Sequence, residues 1–175
     1  MKTYAILLRG VTPTGKNRVP MADLRPALAK AGLRDVRTYI QSGNVIARSN
    51  LGPAAIESLV HEVILKEIGA DLAVVARTHA QINTILENNP FPADAAVRTY
   101  YTLFASAPAA ALVAGLRQID FAPDEVRIVG DTLYTLYATK HSDSKFNTNF
   151  YERKLKIAAT TRNFNTLSRL LELSA

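Results

Sequence analysis

The sequence predicts an α+β protein built from two similar lobes with mainly antiparallel sheets. Apolar runs of strand length alternate with segments of helical spacing along the 175 residues. The order strand, helix, hairpin, helix occurs twice, and residues 88–93, which contain Pro90 and Pro92, separate the two occurrences. We therefore predict one lobe over residues 1–88 and a second lobe, which includes the terminal helices, over residues 95–175.

The first lobe contains segments with the apolar spacing of strands and segments with the apolar spacing of helices. The pair Ser42-Gly43 between two strand-like runs is typical of a two-residue hairpin turn. The segment that Pro53 opens and Gly69 ends is a clear amphipathic helix. In order, the predicted elements are a strand at Tyr4–Arg9, a helix at Met21–Gly32, hairpin strands at Val36–Ile40 and Val45–Ser49, the Pro53 helix, a strand at Leu72–Ala76 and a short helix at Gln81–Glu87.

The second lobe repeats this architecture without a residue-by-residue match to the first. The order of elements is that of a ferredoxin-like βαββα(β) unit, so we predict two such lobes in one protein. The predicted elements are a strand at Thr99–Phe104, a helix at Ala109–Leu116, strands at Val126–Val129 and Thr132–Tyr137 joined by Gly130-Asp131, and helices at Phe146–Ala158 and Phe164–Leu173.

The composition excludes several classes of protein. A hydrophobic fraction of 48% and a charged fraction of 21% are typical of a globular domain. No segment approaches the roughly 18 to 20 apolar residues that span a bilayer, and the apolar run near the amino terminus is too short for a secretory signal. We therefore expect a cytoplasmic protein with no membrane partner. The absence of cysteine excludes disulfides and thiolate catalysis.

Positive charge is concentrated in two segments that lie far apart in the sequence. Of the net charge of +6, residues 1–20 contain four basic and no acidic residues, and residues 140–162 contain six basic and two acidic ones. The rest of the chain is therefore slightly acidic. If folding brings the two segments together, they attract phosphate or carboxylate. The alternative is two separate solvated basic surfaces.

Residues 10–17 read GVTPTGKN and have the G-x-x-x-x-G-K spacing of a nucleotide-binding P-loop. In a P-loop the glycine-rich turn runs directly into a helix, and the following Ser or Thr ligates magnesium. Here Asn17 replaces that hydroxyl, and Arg18-Val19-Pro20 come before any helix. We therefore predict a basic, flexible loop suited to ligand contacts rather than a P-loop.

Several motifs occur in the order and spacing of a known family. They are LLRG at 7–10, GKN at 15–17, Met21, TYIQSGNVI at 38–46 and TTRNFNTLSRL at 160–170. With these motifs the chain resembles, over nearly its whole length, the bacterial family catalogued as domain of unknown function 1697. The resemblance implies a two-lobed α+β structure of ferredoxin-like halves and implies no activity. The chain departs from the family at Pro13-Thr14, where the family is closer to Asn-Val-Gly-Gly, and at Phe164, where tryptophan is usual.

The polar tetrad Thr160–Asn163 is the best candidate for chemistry. It precedes an apolar set with helical spacing, so we expect it to form a helix amino terminus, where free amides, a hydroxyl and a guanidinium bind an anion well. The alternative is ordinary capping by Thr161 or Asn163, with Arg162 in water.

The first hairpin is a second candidate. With a two-residue turn, Gln41 pairs with Asn44 and Arg37 lies opposite Arg48, which favours an anion between the arginines unless they splay into water. Ser42 is predicted to be a turn residue rather than a nucleophile, because no His or acid is placed to activate it.

From these features we predict that a small anionic, phosphate-bearing ligand binds at a basic site between the glycine-rich loop and the last helix. No catalytic residue, cofactor or oligomeric state is assigned. We expect His61, His79 and His141 to be incidental and assign no metal site, because no two share ligand spacing. The predicted ligand-binding residues are Arg9, Gly10, Gly15, Lys16, Asn17, Ser42, Asn44, Thr161, Arg162 and Asn163.

Other functions stay open beside small-anion binding. The basic composition and the ferredoxin-like halves also suit a single-stranded nucleic-acid-binding module. An enzyme acting on a phosphorylated or acyl substrate would use Arg9 and Arg162 for electrostatic stabilisation. A purely structural role would need no ligand. In the nucleic-acid alternative, the tyrosines that would stack on bases are Tyr134 and Tyr137, or Tyr100 and Tyr101.

Overall fold

The computed structural model describes all 175 residues. The chain forms two compact units: the first comprises residues 1–84 and 168–175, and the second comprises residues 85–167. The lobe bounds that we predict from the sequence stay a prediction.

The first unit contains a four-stranded antiparallel sheet with the strand order β2-β3-β1-β4. The two central strands belong to residues far apart in the chain, as in a ferredoxin-like unit. The elements are β1 (Lys2–Leu8), α1 (Met21–Lys30), β2 (Arg34–Tyr39), β3 (Asn44–Ser49), α2 (Pro53–Val63, continued by a π-helical turn at Ile64–Ile68), β4 (Val74–Thr78) and α3 (His79–Glu87).

The second unit contains a second four-stranded antiparallel sheet with the equivalent order β6-β7-β5-β8. The α+β fold class with two such sheets is therefore confirmed. The elements are α4 (Ala93–Ala96), β5 (Thr99–Phe104), α5 (Ala110–Leu116), β6 (Glu125–Val129), β7 (Thr132–Leu136), α6 (Thr148–Leu155) and β8 (Ala159–Asn163), and α7 (Phe164–Leu173) then crosses the division between the units.

Each unit has its own apolar core, which explains why these periodic segments fold as they do. In the first unit Leu24 and Leu28 of α1 and Ile56 and Val60 of α2 are completely buried together with alternate residues of β1. Each such side chain contributes about 1.5 to 3 kcal/mol when fully buried. The second core contains Phe104, Leu116, Leu133, Phe146, Tyr151 and Leu155. None of the helices has the length and apolar character needed to cross a membrane.

The first hairpin has a different register from the one that the sequence predicts. Tyr39 pairs with Asn44, and Arg37 pairs with Ile46, so the connection is the four-residue stretch 40–43 rather than Ser42-Gly43 alone. Two positions make this longer turn possible: Ile40 and Gly43 both take left-handed φ values, of 50° and 85°. The predicted two-residue turn is therefore wrong.

The predicted opposition of Arg37 and Arg48 is wrong as well. A register irregularity between Arg34 and Arg37 places Arg34 opposite Arg48. Arg48 forms an ion pair with Asp35 at 3.2 Å, and Arg37 donates a hydrogen bond to the Leu173 carbonyl at 2.6 Å. Arg37 and Arg48 therefore have partners within the protein, and no anion is needed between them.

Candidate functional site

The glycine-rich loop joins β1 to α1 in the first unit. Gly10 and Gly15 have φ values of 70° and 81°, a conformation that side chains other than glycine adopt at a cost. The loop closes on itself because the amide of Thr12 donates to the Asn17 carbonyl at 3.1 Å and the amide of Arg18 donates to the Gly15 carbonyl at 3.2 Å. Since α1 starts only at residue 21, no helix dipole points at the loop's lysine, and the arrangement is not that of a P-loop.

The basic side chains of this loop differ in exposure. Lys16 and Arg18 are exposed, whereas Arg9 and Asn17 are half-buried. A shallow cleft of about 350 Å³ beside the loop is lined by residues that include Arg18 and Gln41. The loop therefore keeps positive charge next to a small concave surface of the first unit.

Ser42 and Asn44 have structural partners in the hairpin turn. Asn44 is completely buried, and its Nδ2 donates to the Tyr39 carbonyl at 3.2 Å and to Ser42 Oγ at 3.0 Å. The turn also packs against β1, because the Leu8 amide donates to the Gly43 carbonyl at 2.8 Å. These contacts explain the Gln-Ser-Gly-Asn motif as a requirement of the shape of the turn, so the motif needs no ligand to explain it.

The tetrad Thr160–Asn163 lies in a strand, and the helix predicted to follow it begins at Phe164, directly after the tetrad. Its residues belong to β8, which pairs antiparallel with β5 and places Asn163 opposite Tyr100. In this antiparallel ladder the backbone groups of alternate residues form hydrogen bonds to β5. The tetrad therefore does not present the row of free amides that the first turn of a helix presents. The predicted helix at Phe146–Ala158 is shortened to α6, because Asn147 caps its start and Lys156 takes a left-handed φ of 52° at its end.

Thr161 and Arg162 are engaged inside the second unit. Thr161 Oγ1 lies 2.8 Å from Thr102 Oγ1 and 2.7 Å from Thr148 Oγ1, which joins three hydroxyls. Arg162 is only 9% exposed and donates to Thr160 Oγ1 at 2.7 Å and to the Thr161 carbonyl at 2.8 Å. A buried guanidinium needs such acceptors, so Arg162 is not the solvated side chain of the capping alternative.

Asn163 does act as a cap. Its Oδ1 accepts a hydrogen bond from the Thr166 amide at 2.9 Å, which satisfies one of the unpaired donors at the start of α7. The capping alternative is therefore correct for this residue. Asn163 is exposed and also lines the large cleft of the second unit.

This cleft has a volume of about 900 Å³ and lies where several chain segments of the second unit end together. The end of β5 contributes Tyr100, and the end of β8 contributes Asn163. The segment that follows β7 contributes the opposite wall. The charged side chains that line the cleft are the exposed Arg98, Lys140 and Asp143, and Asn165 adds a second amide.

Aromatic rings form one part of the cleft wall. The Tyr100 and His141 rings are stacked with 4.6 Å between their centroids and 8° between their planes. Tyr137 meets both rings edge-on at 5.2 Å, and its hydroxyl donates to the Phe146 carbonyl at 2.6 Å. Burial is the largest cause that raises the pKa of Tyr137 to about 12, so this hydroxyl stays protonated and remains a donor at neutral pH.

The same surroundings affect His141. Burial lowers the pKa of its imidazole from the ordinary value of 6.5, because a half-buried position disfavours the charged form. At neutral pH the ring is therefore neutral, and the positive charge of the cleft comes from Arg98 and Lys140. The cleft combines two cations, one carboxylate, two amides and a ring stack, a set that can bind a ligand with an anionic end and a flat face.

The predicted site residues fall into both units. Arg9, the glycine-rich loop and the pair Ser42 and Asn44 belong to the first unit, and Thr161–Asn163 belong to the second. The joint site between the loop and the last helix stays a prediction. Among the predicted residues, Asn163 lines the large cleft.

Sequence reasoning missed most of the cleft. Arg98, Tyr100 and His141 come from segments about 40 positions apart, and no local spacing links them. Two signals were present in the sequence: Tyr100 belongs to an aromatic pair in a strand, and Lys140 begins the second basic segment. We expected His141 to be incidental, but it lines the cleft.

The other histidines have structural neighbours. His61 Nε2 lies 2.9 Å from Asp71 Oδ1, and His79 Nδ1 lies 3.1 Å from both the Leu171 carbonyl and Ser174 Oγ. No group of three or more His, Asp or Glu side chains is arranged to hold a metal ion.

The tyrosines that the nucleic-acid alternative requires are largely inaccessible. Tyr101 is completely buried and its hydroxyl accepts from Asn89 Nδ2 at 2.9 Å, and the equally buried Tyr134 donates to the Ile85 carbonyl at 2.8 Å. Neither ring can stack on a base. Tyr137 is also buried, which leaves the half-buried Tyr100 as the accessible ring of the four.

Comparisons with known proteins bear on the fold and the family. A family model described as "Protein of unknown function (DUF1697)" matches residues 1–134, which leaves the motif at 160–170 outside the match. A solved structure described as that of conserved bacterial protein SP0830 from Streptococcus pneumoniae is similar, with 21% sequence identity, a TM-score of 0.76 and 99% of each chain covered. At this identity the likeness shows the fold alone. A search of curated proteins found no match.

Proposed function

The chain belongs to the family described as protein of unknown function DUF1697, and from the geometry of its second unit we propose that it binds a small anionic, phosphate-bearing ligand. One observation carries the proposal: Arg98 and Lys140 line the same cleft of about 900 Å³. A concave surface with convergent cations is the usual form of a site for small anions.

The two cations have complementary chemistry. An arginine guanidinium is a planar fork that donates two parallel hydrogen bonds to a phosphate, whereas a lysine ammonium acts as a compact point charge. With Asp143 also in the wall, the charged groups of the cleft sum to one net positive charge, so a ligand must place its phosphate at the cations and its hydroxyls at the carboxylate. The positive end of α7, which begins beside Asn163, favours the same polarity.

The glycine-rich loop remains a second candidate for anion contacts. It has the exposed cations Lys16 and Arg18 and its own shallow cleft. We give it second place because that cleft is smaller, about 350 Å³, and only one cation, Arg18, lines it.

The test is a thermal-shift titration at about 150 mM salt, which screens weak surface attraction, with inorganic phosphate, ribose 5-phosphate and AMP. A ligand at a hundred times its dissociation constant adds about 2.7 kcal/mol, and each kcal/mol raises the Tm of a protein of this size by roughly 2 to 4 °C. We expect at least one probe to raise the Tm by several degrees.

Three charge-neutralising variants show whether the rise in Tm comes from binding in the cleft. Arg98→Gln and Lys140→Gln each remove a cation of the cleft, whereas Arg153→Gln removes an exposed cation of α6 outside it. A hydrogen bond to a charged group contributes about 1.5 to 3 kcal/mol, so the cleft variants should bind about tenfold or more weakly and the control should bind as the wild type does. The proposal would be refuted if no probe raised the Tm of the wild type. It would also be refuted if a probe raised the Tm of Arg98→Gln, Lys140→Gln and Arg153→Gln by the same amount.

A further inference from the structure

We infer that the ligand of this cleft carries an aromatic base, so that the ligand class is a nucleotide rather than a sugar phosphate or free phosphate. The inference rests on the proposed function and extends it from the anionic end of the ligand to the other end. The observation behind it is the stacked pair of Tyr100 and His141 in the wall that also contains Lys140.

Contacts within the second unit hold the ring stack in place. The two rings are nearly parallel, with an angle of 8°, and Tyr137 meets both edge-on. The hydrogen bond from Tyr137 to the Phe146 carbonyl anchors that third ring. Because the third ring braces this half-buried pair, a base that stacks on it does not first have to order flexible side chains.

The chemistry of the stack suits a base in particular. Every nucleobase has a flat π-face, and stacking on aromatic side chains is how proteins hold bases without reading their identity. A sugar phosphate has no such face. Because burial lowers the pKa of His141, its ring is neutral at pH 7, and the ring pair contributes a stacking surface rather than a further positive charge for the phosphate.

The size of the cleft supports the same conclusion. A volume of about 900 Å³ lies near the upper end of the range for small-molecule sites, and a free phosphate ion would leave most of it empty. A nucleoside monophosphate has three parts, and the wall offers a partner for each: the cations Arg98 and Lys140 for the phosphate, the Asp143 carboxylate for ribose hydroxyls and the ring stack for the base.

The experiment compares AMP with ribose 5-phosphate, which share the phosphate and the sugar and differ in the base. Both are titrated calorimetrically into the wild type, His141→Ala, Tyr100→Leu and Tyr100→Phe. We expect the wild type to bind AMP about tenfold or more tightly than ribose 5-phosphate. His141→Ala and Tyr100→Leu should weaken AMP binding far more than ribose 5-phosphate binding and so remove that preference. Tyr100→Phe retains the ring and should keep the preference.

The outcomes separate the inference from the proposed function. Equal affinities of the wild type for AMP and ribose 5-phosphate overturn the inference and leave phosphate binding standing. Binding of neither probe overturns both. A preference for AMP that survives both His141→Ala and Tyr100→Leu also overturns the inference, because the stack is then not its cause. Thermal unfolding of each variant shows that it is folded, and His141→Ala, in a surface turn, provides the test if Tyr100→Leu is unstable.

Discussion

The side-chain oxygen of Asn163 accepts a hydrogen bond from the backbone amide of Thr166 at 2.9 Å, at the point where α7 begins. Asn163 also lies opposite Tyr100 in the β5–β8 ladder and lines the cleft that we propose for ligand binding. One residue therefore links the start of a helix to the wall of the candidate site. Its oxygen stabilises the helix, and its amide nitrogen is the group that it can offer to a ligand.

Substitution of Asn163 should separate these two roles. Asn163→Ala removes the cap and should lower the free energy of unfolding by about 1 kcal/mol, whereas Asn163→Asp retains an oxygen acceptor and should stay close to the wild type. In the cleft, Asn163→Asp replaces the amide donor with a negative charge and should weaken AMP binding. Urea denaturation measures the first effect and calorimetry the second. Equal loss of stability in both variants would show that the cap contributes little.

Acidification should destabilise the protein through His141. Burial lowers the folded-state pKa of this imidazole below its unfolded value of 6.5, so between the two values the unfolded chain binds more protons. That difference makes the free energy of unfolding fall as the pH falls through the unfolded pKa, and the loss is complete below the folded pKa. We expect His141→Gln to lose less Tm than the wild type between about pH 8 and about pH 5.

His61 and His79 are present in both proteins, so their contribution cancels in this comparison. Identical pH profiles for the wild type and His141→Gln would mean that the imidazole has the same proton affinity in the folded and unfolded states. The stack on Tyr100 would then be open to water rather than desolvated.

Gly43 should be far less tolerant of substitution than Gly15, although both have positive φ values, of 85° and 81°. A Cβ at Gly43 would lie 2.8 Å from both Leu8 Cβ and Val11 Cγ2, whereas a Cβ at Gly15 meets nothing within 4 Å. Gly15→Ala should cost about 1 to 2 kcal/mol from backbone strain. Gly43→Ala adds overpacking against β1 and should cost about 1 to 3 kcal/mol more.

Chemical denaturation of the two alanine variants checks this difference. Gly15→Ala is the matched control, because it shares the backbone conformation and lacks the steric contact. Equal costs in the two variants would mean that the turn moves away from Leu8, and the structural account of the Gln-Ser-Gly-Asn motif would then be wrong.

Local patterns predicted the parts of the fold that depend on neighbouring residues. The turn at Gly130-Asp131 needs a residue with positive φ between two strands. The sequence shows the glycine that supplies this φ and the two apolar strands on either side of it. The helix from Pro53 ends at Gly69, whose left-handed φ of 85° stops it. In the first hairpin the same reasoning failed, because the four-residue turn needs a left-handed backbone at Ile40, a residue type that gives no signal for it. The irregularity between Arg34 and Arg37, which changes the residue opposite Arg48, has no signal in the sequence either.

The sequence by itself determined the α+β class, the twofold repeat of elements and the basic character of two segments, since these follow from periodicity, turn residues and charge, which are local properties. Only the tertiary structure decided that Thr160–Asn163 is a strand, because a strand exists through hydrogen bonds to a partner, here β5, about 60 residues earlier in the chain. The cleft was decided in the same way. Its cations and its ring stack come from segments that meet only after β5, β7 and β8 have paired, and no pattern within one segment records which side chains will face each other there.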